Sequence, residues 1–88
     1  YIMKDVIKFH AEWCSPCRYY KTVWNEAKEK HGANHNFIEV DIDKDNTGLA
    51  AKFGVRSVPT TVVVKENKDF QSKVGALAYG DLEKLIKG

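Results

Sequence analysis

Cysteine is scarce in this chain. Cys14 and Cys17 are its only thiols in 88 residues, too few for a secreted disulfide framework, which ordinarily rests on several bridges. They are also too few to hold zinc alone, because a tetrahedral site needs further ligands and no second cysteine pair exists. The candidate extra donors are His10, His31 and His35, and the last two stand far along the chain from the cysteines. Apolar runs are short. A stretch such as "TTVVV" falls well below the length that crosses a bilayer.

Charge of one sign is lacking too. Fourteen basic residues face twelve acidic ones, a formal net charge of +2, and the signs are interleaved. No basic block is left to bind nucleic acid or an anionic membrane. No secretory leader is visible, since Met3 runs directly into "KDVIKF" without an apolar core. Tyr1 and Ile2 precede that methionine and read as additions ahead of a native start. With so little cysteine and no leader, a reducing, cytoplasmic setting is expected.

The chain is 43% hydrophobic and 11% aromatic, enough for one modest core and hence a single domain over residues 1–88. "DVIKFHA" (5–11) reads as a strand, apolar and β-branched between charges. Over residues 15–30, Tyr20, Val23, Trp24 and Ala27 fall at the spacing of one helix face, and Gly32 supplies a left-handed stop. "NFIEVDID" (36–43) alternates, with Ile38, Val40 and Ile42 on one face and Phe37, Glu39 and Asp41 on the other. "DNT" caps a short helix over residues 48–53, closed by Gly54. "VPTTVVVK" (58–65) is a strand that starts after a proline. "ENKD" then turns into "FQSKV" (70–74), and Leu82, Leu85 and Ile86 face a last helix. The order is β-α-β-α-β-β-α. The first two strands should be parallel and the last two antiparallel, in a mixed four-stranded α/β sheet with helices on both faces.

The chemistry concentrates in "HAEWCSPCRYY". Cys14 follows a strand and opens a helix, where unpaired backbone N–H groups and the positive end of the helix dipole converge. A thiolate there is stabilised, so its pKa falls below the free value of about 8.5. Pro16 suits the first helical turn, which has no use for its missing N–H. Cys17 lies most of a turn further on, within reach of Cys14 for a small-ring disulfide. This is the layout of a reversible dithiol switch, in which Cys14 attacks a target disulfide and Cys17 resolves the mixed disulfide. The competing readings are half of a zinc site and a pair of small buried core residues.

These segments resemble the thioredoxin family over nearly the whole chain. "FHAEWCSPC" is similar to the family's active-site segment. "EVDIDKDNTGLAAKFGVRSVPTTVVV" resembles its second strand, second helix and the loop with a cis proline, and "KVGAL" resembles its last strand and glycine loop. The first strand and helix of the full-length fold have no counterpart, so the chain looks like a trimmed version. The resemblance implies that Cys14 is the nucleophile and Cys17 the resolving thiol, with Ser15 and Pro16 setting the redox potential. It implies that Trp13 covers the site's edge and that Pro59 is cis and lies against the cysteines. It also implies that the Val58 backbone pairs with substrate peptide and that Gly75 leaves room for it. A strand-start proline and an ordinary turn glycine are the plainer accounts of Pro59 and Gly75.

Four departures from the family pattern stand out, the last involving two positions. Ser15 replaces a glycine, and its hydroxyl either bonds the Cys14 thiolate or caps the helix. His10 replaces an aromatic residue on the Lys8 face, where an imidazolium would favour a thiolate. Thr22 replaces a kinking proline, so a straighter helix is expected. Lys8 and Glu39 stand where the family carries an aspartate and a lysine. They lie mid-strand on the expected neighbouring strands, on faces that can meet, either as a proton relay in which Glu39 accepts the Cys17 proton, or as a solvated ion pair.

The resemblance and the dithiol together imply a monomeric reductase of protein disulfides that needs no metal or organic cofactor. It would be recharged by a thioredoxin-reductase-type electron donor and would act in redox homeostasis and electron transport. A glutaredoxin-like enzyme using glutathione and a non-catalytic binding module within a larger assembly are the rivals. A periplasmic or extracellular oxidase is a further option.

Overall fold

The expected first strand forms as β1 (Asp5–His10). It ends one residue early, because Ala11 turns its carbonyl back to accept from the Cys14 amide at 3.2 Å. The computed structural model describes residues 3–88; Tyr1 and Ile2 lie outside the described residues. Helix α1 (Ser15–His31) runs unbroken past Thr22. Then come β2 (Asn36–Asp41), the short α2 (Leu49–Lys52), β3 (Thr60–Val64), β4 (Phe70–Val74) and α3 (Tyr79–Lys87). The order of elements is the one read from the sequence.

The sheet runs β2-β1-β3-β4. β1 and β2 are parallel, while β1–β3 and β3–β4 are antiparallel. β1 is thus central, and its residues 6–9 are all buried. Alternation sends them to two cores. Val6 packs with Val63 against Tyr20, Trp24 and Ala27 of α1 and Leu82, Leu85 and Ile86 of α3. Ile7 and Phe9 pack with Val40 and Val62 on the other face, where Leu49 and Phe53 of the α2 region cover them. Edge strand β4 is exposed throughout. Among the described residues, no helix is long and apolar enough to cross a membrane.

Several boundaries differ from the sequence reading, each for a local reason. β2 stops at Asp41 because its carboxylate accepts from the Asp43 amide at 3.0 Å and bends the chain away. β3 starts at Thr60 rather than at residue 58. α2 is shorter than expected, with Gly48 at its N-cap in the left-handed region (φ 76°) and Gly54 left-handed just beyond it (φ 67°). Asp45 supplies the expected polar cap, accepting from the Thr47 and Ala50 amides at 2.8 and 3.2 Å. Gly32 is not the left-handed stop that its place after the helix suggests; it is right-handed, with φ −65° and ψ −22°. Glycine suits it through close approach, because a Cβ there would run into the Lys28 carbonyl oxygen.

Candidate active site

β1 delivers the chain to the sheet's C-terminal edge, and α1 starts there. Cys14 is the N-cap of α1, with extended backbone (φ −89°, ψ 109°). Its Sγ accepts from the Cys17 amide at 3.2 Å. A sulfur occupies the place where a capping oxygen normally sits, so the helix directs an orphan N–H at it. This corrects one reading of Ser15: Cys14 is the cap, and Ser15 is the first helical residue. Pro16 sits in that first turn, where its missing N–H costs nothing.

Cys14 and Cys17 are joined as a disulfide, with Cα atoms 5.3 Å apart. Ala11 is buried beside them, and Ile42 and Val58 pack against them. In this oxidised form both cysteines are buried. Trp13 is its exposed neighbour at 65%, and its indole donates to Asp43 Oδ2 at 2.7 Å. Asp43 is a residue the sequence reading missed. The signal was available: parallel β1 and β2 must present their C-terminal loops at the same end, so the residue two past β2 falls beside the cysteine loop.

The Val58–Pro59 peptide bond is cis. Pro59 is buried, and Val58 packs against the cysteine cluster. Gly75 donates its N–H to the Pro59 carbonyl at 2.8 Å. Its φ of +106° disfavours any side chain, yet a Cβ there would meet no atom within 4 Å. Both accounts of Gly75 are therefore visible at once, a required turn conformation and open space beside the cis bond.

On the other side of Cys17 lies a shallow pocket of about 270 Å³, bordered by Lys8, His10, Glu12, Arg18 and Lys21. Lys8 and Glu39 are in register across β1 and β2 and form an ion pair at 2.9 Å. The lysine is 3% exposed and the glutamate 42%, so the pair is neither fully buried nor fully solvated. Burial pushes the Glu39 carboxyl up, but the Lys8 hydrogen bond and charge, with His10 and Lys28, outweigh it and hold the group below its ordinary value. His31 and His35 are engaged elsewhere. His31 pairs with Glu83 at 3.1 Å, and His35 Nδ1 accepts from the Lys4 amide at 3.1 Å.

Comparison with known proteins agrees with this geometry. The thioredoxin family profile matches residues 3–88. Thioredoxin Asp f 28 of Aspergillus fumigatus is 35% identical over 82 residues, which is 93% of this chain and 74% of that protein. The thioredoxin of Haemophilus influenzae is 32% identical over 81 residues, 92% of this chain and 75% of its own length. Among solved structures, Fasciola hepatica thioredoxin superposes with a TM-score of 0.84 at 30% identity, covering 97% of this chain and 79% of that one.

Proposed function

The chain belongs to the thioredoxin family of thiol–disulfide oxidoreductases, and we propose that it reduces protein disulfides with Cys14 as nucleophile and Cys17 as resolving thiol. In the reduced protein, the Cys14 thiolate attacks one sulfur of a target disulfide. The other sulfur leaves as a thiolate and takes up a proton. Cys17 then loses its proton and attacks Cys14 Sγ, the bond to the target breaks, and the second target sulfur departs with the electron pair and is protonated. The target gains two electrons and the Cys14–Cys17 disulfide re-forms.

One observation carries the assignment of roles: the Cys17 amide points at Cys14 Sγ across 3.2 Å. That bond, together with the helix dipole, favours a negative charge on Cys14 over one on Cys17. Trp13 and Val58, with Pro59 and Gly75, form the surroundings that a substrate strand would meet. Ser15, Pro16 and His10 are assigned to tuning the couple. A reductase of this kind suits a reducing, cytoplasmic compartment, a monomeric state and a thioredoxin-reductase-type electron donor, through which it would serve electron transport and redox homeostasis.

Reduction of insulin disulfides tests the reading. Turnover should be sustained by a thioredoxin reductase, fail with glutathione alone, and vanish in Cys14→Ser. Turnover that survives Cys14→Ser would remove the proposal.

A further inference from the structure

A lysine 3% exposed in the middle of a sheet is unusual, because an ammonium loses most of its hydration there. Lys8 is flanked in β1 by Ile7 and Phe9, which point to the opposite core. On its own face it has two partners. Glu39 Oε1 lies 2.9 Å from Nζ, and the Trp24 ring centroid lies 5.3 Å away. Lys8 also borders the pocket that contains Cys17. Glu39 does not border that pocket; it stands half-exposed on the adjacent strand. The buried end of the pair is therefore the end that lines the same pocket as Cys17.

We propose that Lys8 is a positioning residue for the resolving step, its charge stabilising the Cys17 thiolate that breaks the mixed disulfide. The inference rests on the Cys14–Cys17 reading and deepens it. In that step Cys17 Sγ–H gives up its proton to water in the pocket it lines, the thiolate forms a bond to Cys14 Sγ, and the Cys14–target bond breaks toward the target sulfur, which takes a proton from water. Negative charge thus appears on Cys17, a buried residue packed with Ala11, Ile42 and Val58 at the edge of that pocket. An opposite charge nearby favours it, and the low dielectric amplifies the effect.

The other ionisable groups around that sulfur are His10 on β1, Glu12 in the loop, and Arg18 and Lys21 on α1, with Glu39 reached through Lys8. His10 is half-buried, while Glu12, Arg18 and Lys21 are exposed and screened. Lys8 is the buried charge among them. Glu39 as direct acceptor of the Cys17 proton is the competing account. Its carboxyl is held below its ordinary value by Lys8, which makes it a weak base.

The test is the rate at which Cys17 expels thionitrobenzoate from a preformed Cys14 mixed disulfide, followed against pH. In Lys8→Met, resolution near neutrality should slow about tenfold, equivalent to roughly 1.4 kcal/mol of thiolate stabilisation. The rate should recover at alkaline pH, where Cys17 ionises unaided. Lys8→Met/Glu39→Gln leaves no unpaired charge and should behave likewise, while Lys8→Arg should restore the parent profile. A proton-accepting Glu39 predicts instead that Lys8→Met resolves as fast as the parent or faster. The proposal is overturned by that result, by a parent-like double variant, or by a loss that persists at alkaline pH. A parent chain that never expels the probe would instead break the two-cysteine reading itself.

Discussion

Lys8 and Glu39 form one ion pair whose ends lie in different surroundings, the ammonium 3% exposed and the carboxylate 42%. Removing either end therefore has unequal consequences. Glu39→Gln leaves an uncompensated charge inside the sheet, which costs about 3–5 kcal/mol for wholly buried pairs. With a half-exposed carboxylate the loss should be smaller, about 2 kcal/mol. Lys8→Met leaves a carboxylate that water can reach and puts an apolar chain beside Trp24, so it should cost under about 1 kcal/mol. Urea unfolding of the oxidised protein measures both; a larger loss in Lys8→Met would contradict the account.

The amide that faces Cys14 Sγ separates the roles of the two cysteines. Cys17→Ser keeps the backbone amide that faces Cys14 Sγ at 3.2 Å, so Cys14 should still capture a target disulfide. With no resolving thiol, the mixed disulfide should persist and appear on non-reducing gels. Cys14→Ser should capture at least about a hundredfold less, because Cys17 lacks the amide contact that Cys14 Sγ receives. Comparable trapping by the two variants would sink the assignment of nucleophile.

Tyr20 and Thr61 tie α1 to β3 inside the main core. Their hydroxyl oxygens lie 2.5 Å apart, and both residues are buried. Burial pushes the Tyr20 hydroxyl pKa up to about 12, although the Thr61 hydrogen bond works against it. Tyr20→Phe strands the Thr61 hydroxyl and should cost about 1–3 kcal/mol. In a domain of this size each kcal/mol lowers Tm by about 4–8 °C. Tyr20→Phe/Thr61→Val removes both polar groups and should lose less than the sum of the single changes; strict additivity would show that the contact is not energetically coupled.

The fold was legible wherever one physical signal dominated. Ile38, Val40 and Ile42 alternate cleanly and all reach the core on the α2 face. Tyr20, Trp24 and Ala27 share the buried side of α1, and the cysteine spacing at a strand-to-helix junction foretold a helix-opening dithiol. Strand order was less accessible, because β3 enters beside β1 through a long-range pairing that no local pattern encodes. Lys8 shows why site electrostatics resist sequence reading. A lone lysine in "VIKFH" is compatible with a solvated edge or a central strand, and only a neighbour on each side decides which. β2 and β3 flank it, so the ammonium is buried. The conformation of Gly32 is hidden in the sequence for a related reason: glycine tolerates both a left-handed turn and a close contact, and only the position of the Lys28 carbonyl distinguishes them.

Acid sensitivity should trace in part to His35. Its Nδ1 accepts from the Lys4 amide at 3.1 Å, which requires a lone pair there and hence an unprotonated ring nitrogen. Burial, and then the charges of Lys4 and His31, hold its pKa below the ordinary value. The unfolded chain therefore binds this proton more readily, with a pKa of about 6.5. The stability His35 confers is complete above that value and is lost as pH falls toward the folded pKa. Glu83, lowered by its hydrogen bonds to His31 and then Tyr79, acts in the same sense further down. Its share is present above the ordinary carboxylate pKa and disappears as pH drops through the folded one. The two contributions are separable by substitution. His35→Gln keeps an acceptor for the Lys4 amide but cannot titrate, so the urea midpoint should become flatter between neutral and mildly acidic pH while the steeper fall in the carboxylate range remains. The two proteins differ only at this residue, so the difference between the two curves isolates His35. Parallel curves would mean that the Lys4 contact does not couple folding to protonation.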